Sequence, residues 1–247
     1  MPLTHRLFQP FEHPHETEMW DALVSQLGKS LANEEAVLMG NFLVNGKELD
    51  ALLVRRKSIS VIELKDYRGL IHFSENDDWF ADEAVVIGGN QRNPFHQVRN
   101  NKFAVLERLS SGWTTSGGNG QKPPHWGHIS GVVVFSGPAK FDERLPGSIS
   151  PWFHITDLAG IGQKVSLLSS PCIDLNPNEI RKCSDLIADV RAASPPPRLS
   201  ILYHRQSDFN RAVRDLRALG RSGTIAANLF FGFQETIKRG EDPFRAL

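Results

Sequence analysis

The chain predicts an α/β domain followed by a small basic helical appendage, and three observations carry that reading. A helical apolar repeat near the N-terminus is followed by short apolar runs broken by turn residues. A second helical repeat then precedes ISGVVVF at 129–135, a continuous apolar run of the kind a strand buried on both faces needs. Finally, Pro195-Pro196-Pro197 cannot continue a helix and makes a stiff, extended spacer. The domain is expected over 12–193, the linker over 194–198 and the appendage over 199–247.

After a short irregular start, Glu16 to Ala32 reads as a helix, with Met19, Trp20, Leu23, Val24, Leu27 and Leu31 at helical spacing. That face extends back to Glu16, while Glu18 points away. Ala36 to Val44, Leu49 to Arg55, Ile59 to Lys65, Gly69 to Phe73 and Trp79 to Ile87 follow as strands. Asn93-Pro94 opens a helix, Phe95 to Leu109, whose apolar positions are Val98, Phe103, Val105, Leu106 and Leu109. Ser110 to His125, rich in Gly, Ser, Thr and Pro, is a loop. Phe153 to Thr156 reads as a short strand, with helices at Asp157 to Leu168 and Pro177 to Ala192. Past the proline run come a short strand, Leu199 to His204, and helices at Asp208 to Leu219 and Thr224 to Arg239.

The chemistry concentrates in GKELDALLVRRKSISVIELK, two strands joined by a polar turn at Arg55 to Ser58. Alternation puts Glu63 and Lys65 on one face, with Ile62 and Leu64 on the other. A hairpin of this length brings Asp50 beside Glu63. Two carboxylates and an ammonium then meet in an otherwise apolar stretch, and hard divalent cations take oxygen ligands of this kind. The bland alternative is a solvated Glu–Lys pair two residues apart on an ordinary strand.

Glu16, Glu48-Leu49-Asp50, Val61-Ile62-Glu63-Leu64-Lys65, Gly69, Trp79 and Asn93-Pro94 ahead of Gln97 together resemble the NERD (nuclease-related) domain, a branch of the PD-(D/E)xK nuclease superfamily. The resemblance spans residues 12 to 110 and reaches more loosely to the strand near Val134. Glu63-Leu64-Lys65 stands where Glu-Val-Lys or Glu-Thr-Lys is more usual, and Asp66-Tyr67-Arg68 precedes the Gly; neither departure removes a ligand. Residues 199 to 247 faintly resemble the first half of a RelE/ParE-like module, which accompanies NERD domains in some UvrD-type helicases.

The resemblance implies a restriction-endonuclease-like core, a central mixed sheet flanked by helices, and a magnesium- or manganese-dependent nuclease. Asp50, Glu63 and the main-chain carbonyl of Leu64 are the implied metal ligands, and Lys65 would orient or deprotonate the attacking water. Glu16 is either a further carboxylate of the site or a first-turn residue that favours the helix dipole. Gln97 is placed to hydrogen-bond a phosphate or the water, or is a generic surface residue. Asn93 reads as a helix cap.

His13 and His15 precede Glu16 in a His-x-His-Glu cluster, but Pro14 between them argues for an extended, solvated loop. Trp79 and Phe80 read as packing across a hairpin, or as an aromatic for a base to stack on. Arg211, Arg214, Arg217 and Arg221 form one helix face, a nucleic-acid contact or a solvated stripe.

Formal net charge is zero, so no global cationic field draws the protein to nucleic acid or membrane. The zero hides an asymmetry. Residues 198–247 carry 9 Lys+Arg and 5 Asp+Glu, net +4, leaving 19 against 23, net −4, before them. Two cysteines make neither a disulfide framework nor a metal cluster and suit a reducing cytoplasm. No apolar stretch approaches the ~20 residues of a membrane span, and Met1 to Gln9 lacks the apolar core of a secretory signal. The expected partner is DNA, with RNA as alternative substrate. A rival function is a catalytically weak docking module attached to a helicase.

Overall fold

The first helix, α1 (Pro14–Ser30), starts directly after His13 because proline has its φ set for a helix and no N–H to leave unpaired. Pro14 thus begins a helix where an extended loop is expected from sequence. The computed structural model describes residues 3–113, 124–141 and 145–188. Before α1 lies a short strand, β1 (Thr4–Leu7), exposed at every position and therefore without an apolar signature.

Three antiparallel strands follow: β2 (Ala36–Val44), β3 (Lys47–Arg55) and β4 (Ile59–Lys65). Asn45 and Gly46 turn β2 into β3 with φ of 47° and 75°, the left-handed pair that an Asn-Gly hairpin requires. The second turn closes when Arg55 donates its N–H to the carbonyl of Ser58 at 2.8 Å. Both turns fix the register that the apolar alternation demands.

A small sheet comes next from β5 (Gly69–His72), β6 (Trp79–Ala81) and β7 (Ala84–Val86). The single strand expected over Trp79 to Ile87 is two strands, because Asp82 turns the chain at φ 50°. The second long helix, α2 (Pro94–Gly112), is capped by Asn93, whose side chain accepts the N–H of His96 at 3.0 Å. Its buried face runs through Phe95, Val98, Ala104, Val105 and Leu109, and Phe103 is 54% exposed rather than an apolar core position. Helix phase decides this, since Phe103 falls between the buried turns.

A 3-10 turn at Trp126–His128 leads into β8 (Ser130–Phe135), buried at all six positions as its unbroken apolar run predicts. Then come β9 (Ala139–Phe141), β10 (Phe153–Asp157), α3 (Ile161–Leu167) and α4 (Pro177–Ala188). The helix expected from Asp157 starts later, because Asp157 ends a strand and its carboxylate accepts the N–H of Gly160 at 2.8 Å.

The main sheet has the order β1-β2-β3-β4-β8-β10, antiparallel from β2 to β4 and parallel elsewhere. It is a mixed sheet with helices on both faces. Helices α1 and α3 cover one face over Ala51, Leu53, Ile62, Leu64, Val132 and Val134. Helices α2 and α4 cover the other over Met39, Leu52, Val54, Ile59 and Val61. The small sheet, ordered β7-β6-β5-β9, packs its inner side on Phe95, Val98, Phe135 and Phe153. Trp79, fully buried there, donates its indole N–H to the carbonyl of Ser74 at 2.7 Å.

Among the described residues no helix is long and apolar enough to cross a membrane. The chain divides into Met1–Ser194 and Pro195–Leu247. The expected linker at 194–198, the appendage at 199–247 with its strand and helices, and the arginine face of 211, 214, 217 and 221 lie outside the described residues. So do the end of the helix expected to reach Ala192 and residues 114–123 of the expected loop.

Candidate active site

Strands β3 and β4 pair from Val54 opposite Ile59 up to Ala51 opposite Ile62. The next residues in that register are Asp50 and Glu63. There the ladder ends, and β4 continues along β8, with Glu63 opposite Val133 and Lys65 opposite Phe135. Asp50 fills the resulting gap by accepting the main-chain N–H of Leu64 on its Oδ2 at 2.8 Å. Where a strand leaves its neighbour, a carboxylate takes over a backbone donor.

Strand alternation sorts the side chains. Leu52, Val54 and Val61 face α2, so Asp50, Glu63 and Lys65 stand on that side too, whereas Ile62 and Leu64 face α1. Carbonyls of successive strand residues also point to opposite edges. That of Lys65 accepts the N–H of Ser136, beyond β8. The carbonyl of Leu64 is therefore directed toward β3, the side on which Asp50 lies.

Lys65 reaches back along its own strand to donate to Glu63 Oε1 at 3.0 Å and across to donate to Gln97 Oε1 of α2, also at 3.0 Å. The Glu–Lys pair is not solvated: the Glu63 side chain is 1% exposed and that of Lys65 11%. Glu63 Oε2 is buried without a hydrogen-bond partner. Burial, and next the charge of Asp50, push the Glu63 carboxyl well above the usual carboxylate range, with Lys65 opposing. Asp50, half-buried, is also pushed up, first by desolvation; Lys65, the Leu64 N–H and a hydrogen bond from the protonated Glu63 carboxyl pull the other way. An acidic pair forced together with one oxygen unsatisfied is a place where a cation relieves both strains.

Glu16 does what a helix-capping carboxylate does, its Oε2 accepting the N–H of His13 at 3.1 Å. Its charge still reaches the site and raises both Asp50 and Glu48. His13 and His15 are stacked at 5.4 Å at the start of α1. Among the described residues no three His, Cys, Asp or Glu side chains form a metal-holding group. Asp50 and Glu63 are a pair. Magnesium, which keeps several waters and is commonly bound by one or two carboxylates plus phosphate oxygens, needs no more.

Two features of the site's surroundings escape the sequence reading. Exposed Glu48 has its carboxyl raised by partial burial and then by Asp50, Glu16 and Glu12, so the open side of the site is acidic. Its carbonyl accepts from Asn101 of α2 at 3.0 Å, tying the helix to β3. Gly89, at φ 59°, lies over Gln97 so closely that a Cβ would stand 3.4 Å from the amide nitrogen. The charge at position 48 is visible in the sequence; its neighbours come from other elements. The Gly88-Gly89 pair signals a turn but not what lies under it.

Asn93 is fully buried and also donates to the carbonyls of Ser74, Glu75 and Asp77, the last at 2.7 Å. It is a structural clamp that sets the start of α2 and hence the position of Gln97.

Residues 15–136 match the family model NERD, the nuclease-related domain. No curated protein and no solved structure matches the chain.

Proposed function

Because residues 15–136 belong to the NERD, nuclease-related, family, we propose that the chain is a magnesium- or manganese-dependent nuclease that hydrolyses phosphodiester bonds in DNA. The observation that supports this most is the buried, unpartnered oxygen of Glu63 beside Asp50, with Lys65 bridging to Gln97.

Asp50, Glu63 and the Leu64 carbonyl would hold the cation. Bound there, it would supply a more acidic water and offset charge on the scissile phosphate. Lys65 has three N–H donors. Two are spent on Glu63 and Gln97, which hold the ammonium in place, and the third is left to orient the attacking water or a phosphate oxygen. Gln97 accepts from Lys65 on Oε1, which leaves its amide N–H groups as the donors it could offer a phosphate or the water. Glu16 acts through its charge rather than as a ligand, since its carboxylate caps α1.

Purified protein incubated with plasmid, linear and single-stranded DNA and with RNA tests this, each with magnesium, manganese or EDTA. Cutting with metal, none with EDTA, and a severe loss of cutting in Asp50→Ala or Lys65→Ala is the expected result. Variants that cut at the wild-type rate would refute the assignment. The rival reading, a docking module with little catalysis, draws on the zero net charge and the acidic opening at Glu48. It predicts no magnesium heat by calorimetry in wild type or Glu63→Gln.

A further inference from the structure

Asp50 sits where both neighbouring ladders fail. The β3–β4 ladder stops at Ala51 opposite Ile62. On the other side, β2 and β3 pair Gly40 with Ala51 and Phe42 with Leu49 but skip Asn41 and Asp50. Asn41 takes a left-handed φ of 44° at that break, a region asparagine enters more readily than most residues. A carboxylate of the site therefore stands on main chain that neither adjoining strand fixes.

Helix α2 supplies what the strands do not. Buried Asn101 donates from Nδ2 to the carbonyl of Glu48 at 3.0 Å, two residues from Asp50. Gln97, four residues earlier on the helix, accepts from Lys65 of β4. Residues four apart share a helix face and lie about 6 Å apart along its axis. One face of α2 thus spans two strands that have parted, holding β3 by its main chain and β4 by Lys65. Asn45 makes a further tie from the β2–β3 turn, to the Ala104 carbonyl at 3.4 Å and Glu107 Oε2 at 3.2 Å. That tie lies at the turn, beyond Glu48 from the site.

We propose that Asn101 is a positioning residue. By holding the Glu48 main chain it sets the separation of Asp50 from Glu63, and through it the affinity of that pair for a divalent cation. The cation rests on the nuclease reading above; the placement of Asp50 does not. A side-chain amide suits this role because it donates without bringing a charge that competes with the cation. Groups that orient a metal's ligands are worth about 10–100-fold in affinity or activity when removed.

The full chain carries the test, with Asn101→Leu, which keeps the side-chain volume and removes the donor. In EDTA, amide hydrogen exchange is followed at Leu64, whose N–H bonds Asp50. Ser60 and Ile62, on the same edge of β4 within the ladder, report the general stability. Exchange at Leu64 is expected to rise about tenfold relative to those two, the share of one hydrogen bond. Magnesium binding by calorimetry should weaken about 10- to 100-fold. Asn45→Gly, compatible with the φ of 47° there, cuts the other tie between α2 and the hairpin and should change neither. Should Asn101→Leu not fold, Asn101→Ser, a bond too short to reach the carbonyl, takes its place and is read in the same way.

Equal rises at all three amides would mark a general loosening and overturn the proposal. An unchanged Leu64 amide or an unchanged magnesium affinity would do the same. Wild type that gives neither magnesium heat nor cutting removes the nuclease reading and the proposal together. That result appears in the unmutated protein, so the two failures are told apart.

Discussion

Lys65 at the end of β4 donates a 3.0 Å hydrogen bond to Gln97 in the first turns of α2, and that bond joins the sheet's reactive edge to the helix above it. Lys65→Ala is expected to lower cleavage about 10²–10³-fold, the range of a lost positioned donor. Gln97→Ala should cost less, about tenfold, because Glu63 still holds the ammonium. Comparing kcat and KM on one oligonucleotide distinguishes these, and a Gln97 variant worse than Lys65→Ala would reverse the roles.

The paired carboxylates make metal-free stability fall with pH. Asp50 and Glu63 have folded values above their ordinary 3.8 and 4.5. Their protonated forms therefore support the fold below those ordinary values, and this support is lost as pH rises through the raised ones. A bound cation should reverse the loss, contributing about 2.7 kcal/mol at one hundred times its Kd. Melting at pH 7 with magnesium and with EDTA checks this. Glu63→Gln should raise the EDTA melting point and abolish the magnesium increment.

Lys102 gives a test of opposite sign at alkaline pH. Its folded value, about 8, lies below the ordinary 10.5. The unfolded chain binds the extra proton between those values, so the cost of burying the charge is full below 8 and disappears as pH rises to 10.5. Relative to Lys102→Met, wild type should gain about 2–3 kcal/mol across that interval. Urea midpoints at pH 7 and pH 10 measure it; parallel curves would show that the ammonium is better solvated than its surroundings suggest.

Asn93→Ala should destabilise by roughly 3 kcal/mol, the sum of a lost cap and of carbonyls left without a donor. Asn93→Asp separates the two parts: it keeps the acceptor for the His96 N–H and loses the donors to Ser74, Glu75 and Asp77. A fall in activity larger than the fall in folded fraction would show that the clamp also positions Gln97.

The elements with strong periodicity were legible. Strands β2 and β4 run from Ala36 to Val44 and from Ile59 to Lys65 as the apolar runs indicate, and β8 is buried throughout. Weak signals misled. Exposed β1 has no apolar period, Asp82 breaks one apparent strand into two, and Phe103 has an apolar residue type that points inward while its helix phase points out.

The sequence by itself determined the α/β order, the hairpin that sets Asp50 opposite Glu63, and the polar face that Glu63 shares with Lys65. All of these follow from local periodicity and short turns. Only the tertiary structure decided that Glu63 is sealed with an oxygen unpaired, that Gln97 reaches Lys65, and that Glu16 is engaged at its own helix end. The reason is physical: desolvation and interhelix distance depend on how α1 and α2 pack across the sheet, and residues 32 apart in the chain meet only once that packing is made.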